Sequence, residues 1–392
     1  MKVNKKNPKH WLYMSASGIN VVVASALKNL LRFKPEKQIV FYGHTFNGNL
    51  RALADYVKSR QEFDIYFATP DPEYYQTVKN DPSMPGKPLS ILSLKDTLKI
   101  ARSVAVIADR RTNILEIMNK YTSIPFIDVW HGVAYKGFSP EDFRYIDKYE
   151  EIWVSSPTLK GIYEKKYEVD KSKLFATGYA RVDGLINGVY DVELIKAKYD
   201  IAGYKKIVLV APTWQQDDKG RDIIPFGVTR DKFFGAMNAI GRETNTLFIF
   251  RAHLNVQGAD KISSMDFVRN MPYALYPDIE EFLAISDIVV SDWSSLVFDY
   301  LVLERPTIFL DVPPPFKSGF SLGPEYRFGE IVDSLDKYVS SIEKYLKSPS
   351  TFNKKYATEI KKAKKGAYGS TLDGGVSERQ YKRLKALILE HI

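Results

Sequence analysis

The chain has 392 residues, a length typical of roughly two to three domains. Hydrophobic residues make up 45% of it, which is enough to form buried cores. It contains no cysteine, which excludes disulfides, thiolate metal sites and cysteine nucleophiles and fits a reducing compartment. The 56 Lys and Arg residues exceed the 47 Asp and Glu residues, and the net charge of +9 favours anionic partners. No nucleic-acid-binding motif accompanies this charge, so we expect phosphate or lipid partners and no nucleic acid.

The first 36 residues contain an uncharged run between two basic flanks. Trp11–Leu27 carries no charged residue, four lysines precede it and four basic residues follow it. Serine, glycine and asparagine dilute the run, which is short of the roughly 20 apolar residues that span a bilayer. Two interpretations are open: an amphipathic helix at an anionic membrane surface, and a helix docked on the protein. We predict a membrane-associating segment at 1–36.

Short apolar strands alternate with helical segments along the rest of the chain. We predict a first domain at 37–190 and a second at 191–392, whose last helix could pack back on the first domain. The predicted strands lie at 38–42, 64–68, 103–108, 125–130, 151–154, 206–212, 246–250, 287–290 and 307–310. This alternation is typical of parallel sheets covered on both faces. We therefore predict an α/β fold of two Rossmann-like domains with a cleft between them. Ligands are expected beyond the carboxyl ends of the strands.

The segment Ser291-Asp292-Trp293-Ser294-Ser295 joins a predicted strand to a predicted helix. Amide groups at a helix start, together with serine hydroxyls, can bind a diphosphate. The alternative is that Asp292 or Ser294 caps the helix. Both interpretations are open from this segment alone.

Two of the five histidines follow predicted strands, His131 in the first domain and His253 in the second. One could take a proton from an attacking hydroxyl while the other donates hydrogen bonds to a leaving phosphate. Each could instead be a structural group at a strand end. His44, Thr213 and Arg181 also follow strands or lie near them and are further candidates. No metal-ligand spacing is present, so we predict neither a metal nor a cofactor.

Five segments in order resemble the CDP-glycerol glycerophosphotransferase family, the teichoic acid primases and polymerases of Gram-positive bacteria. They are Trp130-His131-Gly132-Val133-Ala134-Tyr135-Lys136, Ala211-Pro212-Thr213-Trp214, Arg251-Ala252-His253, Ser291 to Ser295 with Phe298-Asp299-Tyr300, and Asp373-Gly374-Gly375 with Ser377-Glu378-Arg379. The resemblance runs from about residue 38 to the C-terminus.

The resemblance implies a GT-B fold, in which two Rossmann-like domains face each other. It also implies a peripheral location on the cytoplasmic membrane face, and transfer of glycerol phosphate from CDP-glycerol to an undecaprenyl-diphosphate-linked disaccharide with release of CMP. By position, His131 and His253 are the catalytic residues. The donor-binding residues implied are Thr213, Arg251, Tyr276, Pro277, Asp278, Ser294 and Ser295, and the acceptor-side candidates are His44, Gly132, Lys136 and Arg181.

Some positions depart from the family pattern. The usual His-Gly-Thr-Pro-Leu-Lys reads His131-Gly132-Val133-Ala134-Tyr135-Lys136 here, and the arginine that often follows Pro-Thr-Trp is Gln215. Several alternatives therefore remain: a ribitol or other polyol phosphate donor, a polymerase, a GT-B glycosyltransferase that uses a nucleotide sugar, or a membrane-bound scaffold. The length favours a primase that adds one unit. The oligomeric state does not follow from the sequence.

Overall fold

The computed structural model describes residues 8–213, 224–251, 265–273 and 275–391. The described residues form two compact units. Unit 1 contains the chain up to His131, residues 139–183, and the C-terminal residues from Gly375; unit 2 contains residues 132–138 and 184–374. Predicted residues His253 and Trp214 lie outside the described residues.

Unit 1 contains a parallel sheet of seven strands among its described residues, in the order β3-β2-β1-β4-β5-β6-β7. The strands are β1 (Gln38–Tyr42), β2 (Asp64–Thr69), β3 (Lys87–Ser90), β4 (Ala105–Ala108), β5 (Phe126–Asp128), β6 (Glu151–Val154) and β7 (Leu174–Ala176). The helices up to residue 186 are α1 (Pro8–Leu30), α2 (Gly48–Arg60), α3 (Pro72–Val78), α4 (Leu94–Ala101), α5 (Glu116–Tyr121), α6 (Pro140–Phe143), α7 (Pro157–Lys166) and α8 (Asp183–Ile186).

Unit 2 contains a second parallel sheet, with six strands in its described part and the order β10-β9-β8-β11-β12-β13. The strands are β8 (Lys206–Ala211), β9 (Thr246–Phe250), β10 (Val268–Asn270), β11 (Ile288–Ser291), β12 (Thr307–Leu310) and β13 (Glu330–Val332). The later helices are α9 (Val192–Lys198), α10 (Arg230–Thr244), α11 (Ile279–Ile285), α12 (Leu296–Leu301), α13 (Leu335–Lys347), α14 (Ser350–Ala367) and α15 (Val376–His391). The predicted α/β class with parallel sheets is confirmed.

The helix α15 belongs to unit 1, although it follows unit 2 in the chain. Its apolar residues, including Leu384 and Ile388, join the buried cluster formed by β1, β2 and α2. The carboxylate of Asp183 accepts hydrogen bonds from the first two backbone N–H groups of α15, at 3.1 and 2.7 Å. Arg383 donates two hydrogen bonds to the Glu151 carboxylate, at 2.7 and 2.8 Å.

The helix α1 packs on α4 and α5 with one face and is exposed on the other. Asn20 and Asn29 fasten it to unit 1, since their side chains donate to the carbonyls of Ile91 and Tyr121. The exposed apolar residues Leu12, Ile19, Val23 and Leu30 are spaced by seven, four and seven, so they share one face. Within the described chain, no helix is long and apolar enough to cross a membrane.

Candidate functional site

His131 lies in a turn with unusual backbone angles, just after β5. Its neighbours Trp130 and Gly132 have φ angles of 51° and 151°, a range that glycine tolerates and most other residues avoid. The buried carboxyl group of Asp128 accepts a hydrogen bond from the Trp130 N–H at 2.8 Å, and the Trp130 ring stacks on Phe143. The turn is therefore fixed at the residue that precedes the histidine.

A carbonyl group selects the tautomer of His131. The ring Nδ1 lies 3.1 Å from the backbone carbonyl oxygen of Asp109, which can only accept, so Nδ1 carries the proton and Nε2 keeps a lone pair. Desolvation by the surrounding protein lowers the pKa of His131, Arg110 and Arg181 lower it further, and Asp109 opposes them. The residue also has a solvent-exposed side, where water weakens these effects without reversing them. His131 is thus a neutral base at pH 7.

Asn49 of α2 connects three parts of this turn. Its Nδ2 donates to the carbonyls of Val129 and Trp130, at 3.2 and 2.9 Å, and its Oδ1 accepts from the backbone N–H of Arg181 at 3.2 Å. The Arg181 guanidinium in turn donates to the His131 carbonyl at 2.9 Å. Arg181, predicted on the acceptor side, therefore contacts the histidine turn through its side chain.

In unit 2, Asp292 joins the loops that follow β8 and β11. Its Oδ1 accepts from the Thr213 N–H at 2.8 Å, from the Thr213 hydroxyl, and from the Trp293 N–H at 2.6 Å. The hydroxyl of Ser291 donates to the Ala211 carbonyl at 2.6 Å. Asp292 is buried and holds Thr213 against the Ser291 to Ser295 segment, and the N-cap residue of α12 is Ser295.

The predicted diphosphate-binding serines lie at the start of α12. Ser295 is the N-cap residue but forms no side-chain cap hydrogen bond, and both Ser294 and Ser295 are half-buried. The Trp293 ring is fixed by its Nε1, which donates to the Val312 carbonyl at 2.8 Å. Both hydroxyls therefore lie next to a rigid turn.

Arg251 follows β9 and is buried against aromatic rings. Its guanidinium carbon lies 5.0 Å from the ring centroid of Phe282 and 5.7 Å from that of Tyr273. Its Nη1 donates to the Met271 carbonyl at 3.3 Å, while Nη2 has no hydrogen-bond partner among the described residues. Desolvation lowers the pKa of Arg251, as expected for a buried cation. Such a group fits a phosphate oxygen.

The predicted cytidine segment Tyr276, Pro277 and Asp278 leads into α11. Asp278 is the N-cap residue of that helix and forms no side-chain cap hydrogen bond. The Tyr276 ring packs edge-on against Tyr199 at 5.6 Å between centroids. The segment follows β10 and Arg251 follows β9, and these two strands are neighbours in the sheet of unit 2.

The segment after His131 packs within unit 2. Lys136 forms an isolated antiparallel bridge with Phe320, and its carbonyl accepts the Ser321 hydroxyl at 2.6 Å. A Cβ at Gly137 would lie 2.3 Å from the Ser318 carbonyl oxygen, so only glycine fits there. Gly132 and Lys136, the other acceptor-side candidates, thus lie in a segment that packs tightly within unit 2.

Arg327 is a buried cation beside this segment that the sequence did not indicate. Its guanidinium carbon lies 3.6 Å from the ring centroid of Trp293, and its side chain is 5% exposed. Its Nε and Nη2 have no hydrogen-bond partner in the described part of the chain, and Nη1 lies 3.8 Å from the Asp311 carboxylate. Desolvation lowers the pKa of Arg327.

His44 lies just after β1, in the wall of a cavity of about 200 Å³ within unit 1. Burial, together with the nearby Arg110 charge, lowers the pKa of His44 to about 4, so the ring is neutral at pH 7. Within the described chain, no three His, Asp or Glu side chains form a group that could hold a metal ion.

Comparisons with known proteins agree with the motifs. A sequence model of the family described as CDP-glycerol:poly(glycerophosphate) glycerophosphotransferase matches residues 25–385. A teichoic acid glycerol-phosphate transferase of Staphylococcus aureus is 25% identical over 308 residues, which are 72% of this chain and 74% of the relative. A teichoic acid glycerol-phosphate primase of Bacillus spizizenii is 21% identical over 68% of this chain and 72% of its own length.

Longer relatives match over a smaller share of their length. A teichoic acid poly(glycerol phosphate) polymerase of Staphylococcus epidermidis is 25% identical over 49% of this chain but only 29% of the polymerase. A solved structure of the wall teichoic acid polymerase TagF has a TM-score of 0.76 at 19% identity, covering 95% of this chain and 94% of that one. This likeness concerns the fold. Since the family model covers most of the chain, the predicted family is confirmed, and the chain belongs to the CDP-glycerol:poly(glycerophosphate) glycerophosphotransferase family.

Proposed function

We propose that this protein transfers glycerol phosphate from CDP-glycerol to a hydroxyl of a lipid-linked disaccharide in teichoic acid biosynthesis, as a primase that adds one unit and releases CMP. The family membership supports the donor and the reaction class. The observation that carries the proposal is the tautomer of His131, whose Nε2 is unprotonated at neutral pH. The proposal includes the GT-B arrangement, with acceptor and donor sites on opposite domains.

The chemistry follows from a neutral base and a site for the diphosphate. Nε2 of His131 takes the proton of the acceptor hydroxyl as its oxygen attacks the phosphorus that carries glycerol. A new phosphorus–oxygen bond forms, the bond from that phosphorus to the bridging oxygen breaks, and CMP leaves with the electron pair. Arg181 donates a hydrogen bond to the His131 carbonyl, and Nδ1–H of His131 donates one to the Asp109 carbonyl, so the ring stays oriented throughout.

The donor residues are proposed from charge and hydrogen-bonding capacity. Arg251 offers a buried Nη2 without a partner in the described chain, which suits a phosphate oxygen in a low-dielectric site. Ser294 and Ser295 add hydroxyls at the start of α12, and Asp292 fixes Thr213 beside them. His253 is proposed as the group that stabilises the leaving phosphate, by its position in the Arg-x-His motif.

A location at the cytoplasmic face of the membrane is part of the proposal. It is supported by the exposed apolar face of α1 and by the overall charge of +9. An interfacial helix buries such a face at the level of the lipid headgroups, and basic residues near it attract anionic lipids. Contact with the membrane would cover the leucine and isoleucine side chains that α1 exposes.

One experiment tests the proposal at two levels. Purified protein is screened by thermal shift against CDP-glycerol, CDP-ribitol, UDP-sugars and GDP-sugars, since a ligand of the folded state raises its melting temperature. CMP release is then measured with the stabilising donor and a disaccharide joined through diphosphate to a short alkyl chain. We expect CDP-glycerol to stabilise the protein and to support CMP release, and His131→Ala to abolish release without loss of the thermal shift.

Other outcomes of this experiment would support a different function. Stabilisation by CDP-ribitol alone would change the donor, stabilisation by a UDP- or GDP-sugar would indicate a glycosyltransferase, and repeated addition to one acceptor would indicate a polymerase. Absence of any nucleotide shift would favour the scaffold hypothesis. Full activity in His131→Ala would remove this histidine from the chemistry.

A further inference from the structure

A cavity apart from the histidine turn lies in unit 1, between α1 and the carboxyl ends of the first strands. Tyr13 and Met14 of α1 form one wall of this cavity of about 200 Å³, which we call the α1 cavity. His44 after β1, Thr69 at the end of β2, and Ile91 just beyond β3 line the opposite side. In open parallel sheets this edge is where ligands bind.

The α1 cavity lies along the same sheet edge as the catalytic turn. The sheet begins in the order β3-β2-β1-β4-β5. The cavity lies at the ends of the first three of these strands, and the histidine turn follows β5. Asp109, directly after β4, accepts the hydrogen bond from His131. Both Asp109 and Arg110 also act electrostatically on His44. The cavity therefore borders the acceptor side of the proposed reaction.

The lining determines what the cavity can bind. None of its twelve lining residues, all in the described chain, is Asp, Glu, Lys or Arg, which disfavours a diphosphate there. Half of them carry a hydroxyl or an imidazole that can hydrogen-bond with sugar hydroxyls, while most of the accessible lining surface is apolar and suits the faces of a ring. Tyr13, Tyr75 and Pro70 offer flat faces. A neutral ring with several hydroxyl groups meets all three conditions.

Size sets a limit as well. Pockets for drug-sized ligands measure about 300–1,000 Å³, so a cavity of about 200 Å³ takes one ring rather than a whole acceptor. On this basis, and resting on the function proposed above, we propose that the α1 cavity binds a neutral sugar ring of the acceptor and thereby positions its hydroxyl for His131. The membrane-facing helix would then also form a wall of the acceptor site.

The test obstructs the cavity without touching the catalytic turn. Met14→Trp adds bulk on the α1 wall, and Tyr75→Ala removes a flat face from the other side. The acceptors compared are a disaccharide joined through diphosphate to a short alkyl chain, and glycerol phosphate on the same alkyl chain without a sugar. Both variants should raise KM for the disaccharide acceptor about tenfold and leave KM for CDP-glycerol and for the sugar-free acceptor within about twofold.

Leu94→Trp serves as the matched control, because Leu94 is an exposed residue of α4 outside the lining. It should behave as wild type with both acceptors. An equal rise in KM for both acceptors, or no rise in either folded variant, would overturn the sugar site. Equilibrium dialysis of the free disaccharide with wild type and Met14→Trp provides a readout independent of transfer. Binding that Met14→Trp weakens would support the cavity even if CDP-glycerol is not the donor.

Discussion

Arg110 and Asp109, adjacent in the chain after β4, form a bidentate ion pair, with Nε to Oδ1 at 3.0 Å and Nη2 to Oδ2 at 3.2 Å. The backbone carbonyl of the same Asp109 accepts a hydrogen bond from Nδ1–H of His131. Arg110 thus lowers the pKa of the histidine by its own charge and also neutralises the carboxylate that raises it. Both effects keep the ring unprotonated.

The ion pair between Asp109 and Arg110 should affect how kcat depends on pH. A base with a lowered pKa stays active below the ordinary 6.5 and loses activity as pH falls through that lowered value. Arg110→Gln should raise the pKa of His131 and move the acidic limb of kcat upward by about 0.5 pH unit or more. Arg144→Gln, at an exposed ion pair, is the control and should leave the limb in place. An unmoved limb in Arg110→Gln would contradict the assignment.

Asn49 should act as a positioning residue. Asn49→Ala leaves two carbonyls and one N–H of the histidine turn without this partner, which should lower the free energy of unfolding by about 2–3 kcal/mol. At temperatures well below melting, kcat should fall while KM for CDP-glycerol is unchanged. Urea unfolding and steady-state kinetics measure both. The exposed Asn80→Ala should show neither effect, and a normal kcat in Asn49→Ala would argue against positioning.

Arg327 is expected to contribute to the binding of the donor rather than to the stability of the fold. Arg327→Met keeps a flexible apolar side chain against the Trp293 ring but removes a buried cation whose ion pair with Asp311 spans 3.8 Å. The melting temperature should stay the same or rise, and the affinity for CDP-glycerol should fall about tenfold. Calorimetric titration and thermal melting test this, with Arg242→Met on the exposed side of α10 as control. Unchanged affinity would assign Arg327 to packing alone.

Asp128 should make stability depend on pH. Burial raises the pKa of Asp128 to about 8, so the folded state holds a proton that the unfolded state releases near pH 4. The folded state binds more protons between these values, so this group lowers stability as pH rises from 4 to 8. Asp128→Asn keeps the acceptor for Trp130 and should raise the melting temperature at pH 8 by at least about 2 °C, with little change at pH 4.

Melting curves from pH 4 to pH 9 measure this difference between variant and wild type. Asp336→Asn, at an exposed position of α13, should give a curve parallel to that of wild type. A parallel curve for Asp128→Asn would show that its carboxyl ionises as in the unfolded chain.

The exposed face of α1 should bind anionic vesicles. Replacing Leu12 and Ile19 together by glutamate removes apolar contact and adds repulsion, so the partition coefficient should fall about tenfold or more. The matched double variant changes Val189 and Leu194, which are also exposed and apolar but lie outside α1. Co-sedimentation should show near-normal binding for this control, and equal losses in both double variants would indicate net charge rather than the helix face.

The strands that the sequence predicted are the inner strands of the two sheets. The four it missed, β3, β7, β10 and β13, are the edge strands. They have three or four residues each, and most of those residues are only partly buried. An edge strand has one neighbour and needs no continuous apolar run, so hydrophobic patterning does not detect it.

The candidate site was predictable where a residue follows an inner strand, as His131, Thr213 and Arg251 do. Asn49 was not, because its partners lie about 80 and 132 positions away along the chain and its own helix shows only an ordinary amphipathic pattern. Arg327 was missed for a similar reason. A lone arginine in a loop resembles a surface residue until its aromatic partner is known.

The helix α15 completes the core of unit 1 from the far end of the chain, with Leu384 and Ile388 packed among residues of β1 and α2. During synthesis, unit 1 therefore has an uncovered apolar surface until residues 376–391 leave the ribosome, after all of unit 2. Contacts of such long sequence separation form slowly. The nascent chain therefore exposes this apolar surface of its first domain for as long as the second is being made.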